Sequence, residues 1–178
     1  MNLRPPIFLA LLLFASLPAF ADRIAQVREM LTGYEWHVDA SAFAKLGPDV
    51  YKDLLALAEN PEETGVTRAR AIAVLSLYRD DSVWNFFARA VSTEEEPSRR
   101  TAIVDAMCEA FVTQRPADVA GTMIPLLEAR DLHVRVRAAR CLRRIDSDRV
   151  LLALENYRGR IKNDWEFKAA GFGEHDDE

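Results

Sequence analysis

The chemistry of this 178-residue chain is concentrated in its arginines, cysteines and histidines. Five arginines stand in the fifteen residues DLHVRVRAARCLRRI, 131–145. At helical spacing Arg137, Arg140 and Arg144 fall on one side, with His133 one turn earlier. Val134, Ala138, Cys141, Leu142 and Ile145 form a separate apolar stripe. Guanidinium groups bind carboxylates and phosphates through planar, paired hydrogen bonds. The basic stripe is therefore a candidate docking surface for an acidic partner, and its alternative is an ordinary solvated helix face. Arg135 flanks the apolar side, where a structural bond to a carboxylate or a helix-end carbonyl of the adjacent repeat is expected.

Other reactive groups are scattered. His37, His133 and His175 form no ligand pair, so no metal site is predicted, and no cofactor is expected. No G-x-S-x-G motif and no glycine-rich phosphate loop occurs, and neither cysteine has a histidine placed to activate it, so no catalytic residue is assigned. Cys108 and Cys141 both sit in apolar helical patterns, where the favoured reading is two free thiols acting as small hydrophobes and a disulfide is the alternative. Nucleic acid is not expected as a partner. The net charge is −5, and only Tyr157, Trp165 and Phe167 lie near the arginines as stacking groups.

The elements that must position these residues are helical, and no long alternating run suggests a strand. Three segments overlay: TRARAIAVLSLY (67–78), RRTAIVDAMCEA (99–110) and VRVRAARCLRRI (134–145), at offsets of 32 and 35 residues. Each has an arginine in second place, Arg68, Arg100 and Arg135. The fifth and sixth places are small or aliphatic, and the eighth and ninth hold Val74/Leu75, Ala106/Met107 and Cys141/Leu142. Between them lie amphipathic stretches at 48–59, 80–93, 116–129 and 147–161. Asp39 is expected to cap a turn over 40–46, Asp81 or Ser82 to cap the helix over 80–93, and Ser147 the last long helix. Trp84, Phe86 and Phe87 are assigned to the core, and Trp165 and Phe167 to a cap over the final helix. Short helices of this kind are marginal alone and must cover one another's apolar faces.

The alternation, the period and the pattern over Val134, Arg135, Ala138, Ala139, Cys141, Leu142 and Ile145 resemble HEAT repeats, across about residues 48–161. Pro125, inside a first helix, matches the kink common in that family, whereas Arg99, Asp105 and Glu109 make the middle repeat more polar than usual. The resemblance implies an all-α fold, a short right-handed solenoid of about three to four antiparallel helix pairs, with second helices lining the concave side. It also implies a non-catalytic scaffold for protein–protein interaction. A small-ligand or prosthetic-group lyase and a purely structural envelope component are the alternatives, since this architecture alone assigns no chemistry.

The N-terminus resembles a secretory signal: Arg4, an apolar run over 7–17, Pro18, then Ala19-Phe20-Ala21. The run is shorter than the ~20 residues a membrane span requires, so cleavage after Ala21 is expected, leaving a periplasmic or secreted monomer without a span. The predicted organisation is a signal peptide (1–21), capping helices and a connector (22–47), the repeat domain (48–161), and a C-terminal cap with an acidic, partly disordered tail (162–178). Charge is uneven along it: residues 22–129 sum to −7, 130–168 to +5, and the last ten to −4.

Overall fold

A computed structural model describes residues 17–173, with side chains from Arg23 onward. Most of the signal segment, His175 and the carboxylates of the acidic tail lie outside the described residues. The fold is all-helical, and no strand occurs among the described residues. The helices are α1 (Leu17–Met30), α2 (Ala40–Ala44), α3 (Tyr51–Glu59), α4 (Gly65–Leu75), α5 (Asp81–Thr93) and α6 (Pro97–Phe111). They are followed by α7 (Pro116–Met123), α8 (Leu132–Leu142), α9 (Asp148–Arg158) and α10 (Asp164–Ala169). No helix among the described residues is long and apolar enough to cross a membrane.

Local chemistry sets the helix ends. Asp39 caps α2 as expected, its carboxylate accepting from the N–H groups of Ser41 and Ala42. The cap of α5 is Asp80, one residue before the predicted position, accepting from the Ser82 N–H. Ser147 occupies the N-cap position of α9, yet its side chain makes no capping bond. Helix α3 begins at Tyr51 rather than Pro48, because residues 48–50 form a turn after Gly47. After α7 the chain tightens into a 3-10 segment, Ile124–Glu128, where Pro125 removes a backbone donor from the α-helical ladder.

The three overlaid segments become α4, α6 and α8, and they pack side by side: α4 on α6, and α6 on α8. Each also packs on the element before it, α3, α5 or the α7–3-10 unit. The fifth and sixth places, Ala71/Ile72, Ile103/Val104 and Ala138/Ala139, are all no more than 1% exposed. Small groups there let helices approach closely, while Leu75, Met107 and Leu142 fill the space beside them. From α5, Phe86 and Phe87 point into this core, whereas Trp84 is half-buried and meets Phe111 edge-on at 5.3 Å.

The second-place arginines show why the repeat carries them. Arg68 Nε donates to the Ala58 carbonyl at 3.1 Å, and Arg100 Nε to that of Val91 at 2.8 Å. Arg135 Nη1 donates to the carbonyls of Ala129 and Arg130 at 2.9 and 3.0 Å. These carbonyls lie at the end of the preceding element, where an α-helix or 3-10 turn leaves acceptors without internal partners. The expected structural role holds: Arg68 and Arg100 bond the element just before their own helix, and Arg135 also reaches the Glu166 carboxylate beyond it.

The two ends are closed by ion pairs that sequence reading missed. Asp53, fully buried on α3, faces Arg23 Nε of α1 at 2.5 Å. On α10, Glu166 is buried, accepts from Arg135 Nε at 2.7 Å and takes the Tyr157 hydroxyl proton donor at 2.9 Å. Arg135, followed by Tyr157, holds the Glu166 carboxyl below its usual range against the cost of burial. Of the predicted aromatic cap, Phe167 is half-buried with Arg158 of α9 over its ring at 5.5 Å, whereas Trp165 is 52% exposed and lies edge-on against His133; the buried Glu166 between them adds the ion pair.

Candidate functional site

Where α4, α6 and α8 run side by side, a groove of about 1010 Å³ lies over them, at the upper end of ligand-site sizes. Its floor is made of small groups, with Ala73 of α4, the C-cap Ser76 of that helix, and Ala102 and Ala106 of α6. Residues 168–171, at the end of α10, form one wall. Five cations line it, Arg137, Arg140, Arg143, Arg144 and Lys168, against two carboxylates, Asp105 and Glu109. No aromatic ring is among the lining residues.

The floor also contains a disulfide, Cys108 to Cys141, with Cα atoms 5.8 Å apart. The expectation of two free thiols is therefore wrong. Both residues are buried as their apolar patterns predicted, at 5% and 3% exposure. What periodicity could not report is that stacking α6 beside α8 turns the two positions toward each other within bonding range. The bridge ties two neighbouring groove helices together.

The three arginines singled out from the sequence do meet in this groove, but they are not equivalent. Arg137 Nη1 lies 3.4 Å from Asp105, and Arg144 Nη1 lies 3.1 Å from Glu109 and 3.7 Å from Cys108 Sγ. Asp105 and Glu109 are one turn apart on α6 and meet Arg137 on α8 and Arg144 just past its end, so these pairs lace the two segments together above the disulfide. Burial pushes the Asp105 carboxyl above its usual range, against the pull of Arg137 and Arg140. Arg140 stands between the two pairs with no side-chain hydrogen bond or ion pair among the described residues.

Two further cations were not legible as site residues. Arg143, outside the stripe assigned from the sequence, is the C-cap of α8 and keeps right-handed helical dihedrals three residues after Arg140. Its guanidinium lies over the Phe172 ring at 5.8 Å. Gly171, at φ 86°, allows this approach: a Cβ there would stand 3.0 Å from Arg143 Nε. Lys168 comes from a different helix, and nothing in its own neighbourhood marks it. His133 lies against Trp165 and is not among the lining residues, and His37 is exposed in the connector before α2. No group of three His, Cys, Asp or Glu side chains suited to a metal is found among the described residues.

A second hollow, about 440 Å³ between α3, α5 and α6, has its charges largely matched internally, Arg89 to Glu59 and Arg99 to Glu94. The groove over α4, α6 and α8 is where positive charge is in excess. In comparisons with known proteins, the chain matches no family model, no curated protein and no solved structure.

Proposed function

We propose that this chain is an exported, HEAT-like scaffold whose groove over α4, α6 and α8 docks an acidic segment of a partner protein. In this reading α3–α4, α5–α6 and α7–α8 are successive antiparallel pairs of a short right-handed solenoid, with α1–α2 and α9–α10 closing its ends. The second helices then form the inner layer, as the contacts of α6 with both α4 and α8 support. The disulfide agrees with an oxidising compartment and so with removal of residues 1–21 on export.

The observation that carries the reading is the charge of the groove, five cations against two carboxylates in a chain whose net charge is −5. Local excess of this kind steers an oppositely charged partner and speeds its association. A lining without aromatic rings offers no stacking surface for bases, which favours a polypeptide over a single-stranded nucleic acid. Both cysteines are consumed in the bridge, so the groove supplies no thiol nucleophile, and a binding role suits its remaining residues better than the lyase alternative.

The test is association of the mature protein with a fluorescent hexaglutamate peptide, measured against hexaglutamine at several salt concentrations. Selective, salt-sensitive binding that falls in the Arg137→Glu, Arg140→Glu, Arg144→Glu variant is the expected result. Equal behaviour of the two peptides refutes the docking reading and leaves the purely structural alternative.

A further inference from the structure

We propose that recognition within this groove is concentrated in an anion subsite made by Arg140, Arg143 and Lys168, which takes paired carboxylates of an acidic peptide segment. The inference rests on the docking reading above and sharpens it, because it divides the groove cations into two kinds with different work.

Arg137 and Arg144 are already occupied, by Asp105 at 3.4 Å and Glu109 at 3.1 Å. A ligand carboxylate arriving at either must compete with a tethered one, and so exchanges one ion pair for another with little net gain. Arg143 and Lys168 make no ion pair among the described residues, and Arg140 meets Asp105 only through a longer-range attraction, so a ligand finds three cations that no carboxylate holds in direct contact. Their charges are also held together by the fold. Arg140 and Arg143 are three residues apart, and Arg143 keeps right-handed helical dihedrals as the C-cap, so their side chains leave neighbouring turns of one face, with Cβ atoms ~5–6 Å apart. Lys168 faces them from α10, whose position is held by the buried bonds of Glu166 to Arg135 and Tyr157.

Arg143 is the best prepared of the three. Phe172 lies beneath its guanidinium, and the missing side chain of Gly171 lets the backbone close on its stem, so less freedom remains to be lost when an anion binds. The spacing suits two carboxylates on adjacent turns of a helix, ~5–6 Å apart, or on alternate residues of a strand, ~7 Å apart. The alanines and the disulfide below give the peptide backbone a shallow floor without a competing acceptor side chain. The paired arginines flank this cluster and keep α6 against α8, so their part is to frame it.

The experiment compares two variants that remove the same charge: Arg140→Gln with Arg143→Gln, and Arg137→Gln with Arg144→Gln. Both are titrated with the labelled hexaglutamate peptide at low salt, with circular dichroism and melting checked in parallel. Loss of two free guanidinium contacts is expected to weaken binding ~10-fold or more, whereas loss of the two paired arginines should change it less than ~3-fold and lower the melting temperature instead. Arg140→Gln alone is the control for folding, since Arg140 makes no bond that the fold needs; it should melt as the wild type does and still bind more weakly. Equal weakening by the two double variants overturns the subsite while leaving the groove as a general docking surface. Failure of the wild type to distinguish hexaglutamate from hexaglutamine overturns both.

Discussion

The Cys108–Cys141 bridge offers the most quantitative test of the structure. It closes a sequence separation of 33 residues and joins α6 to α8. In the chain-entropy account, cross-linking a loop of that length removes about 12.5 cal/mol/K from the unfolded ensemble, or ~3.7 kcal/mol at 25 °C. A typical domain is stable by about 5–15 kcal/mol, so the bridge accounts for a large share. For a chain of this size, where 1 kcal/mol shifts the midpoint by roughly 2–4 °C, the expected loss is ~7–15 °C. The perturbation is Cys108→Ala with Cys141→Ala, which leaves little room for a confounding cavity because alanine replaces a small side chain. Urea and thermal unfolding of the oxidised wild type and the double variant, with and without a reductant, measure it. Reductant should lower the wild-type midpoint toward that of the variant and leave the variant unmoved. A double variant with the same urea midpoint as the oxidised protein, or a non-reducing mass with both thiols intact, refutes the cross-link and the packing of α6 on α8 that places it.

Three other outcomes follow from the packing. Arg135→Met strands the buried Glu166 carboxylate and should cost ~3–5 kcal/mol in urea unfolding. Arg68→Met and Arg100→Met, which lose only a helix-end hydrogen bond, should cost ~1.5–3 kcal/mol; the same loss at all three positions contradicts the assigned network. Because the folded-state pKa of Glu166 is depressed, its contribution is fully present above the unfolded glutamate value of ~4.3 and is lost as pH falls through the lower folded value. The stability difference between wild type and Glu166→Gln should accordingly shrink as the pH falls below about 5, and a difference that is constant with pH counts against the ion pair. Leu142→Ala, at a fully buried site in α8, should destabilise by ~2–5 kcal/mol, seen as a lower urea midpoint at unchanged slope.

Much of the fold was legible because burial has a period. Ala71, Ile103 and Ala138, with Ile72, Val104 and Ala139 beside them, were assigned inward from spacing alone, and all are buried. A helix exposes its own faces to prediction, since the rise and turn per residue are constant. Caps were readable to within a residue, as Asp39 and Asp80 illustrate, because an Asp side chain reaches only the first turn that follows it. Asp53 and Glu166 were missed for the opposite reason. A carboxylate on a helix surface looks solvated until the distant arginine that meets it is known.

The same boundary divides the candidate site. From the sequence alone came the helices, the inward stripe and a basic face on α8, all properties of local spacing, and an arginine that recurs after 32 and 35 residues. Only the tertiary structure decided which cations are spent and which are free. Asp105 and Glu109 reach Arg137 and Arg144 from 32 and 35 positions away, Lys168 arrives from another helix, and Phe172 and Gly171 close on Arg143 from past the end of α10. The cysteines pair for the same reason. Side-chain bonds form over a few ångströms of space, and the distance between two residues in space is set by how helices stack, which no local period encodes.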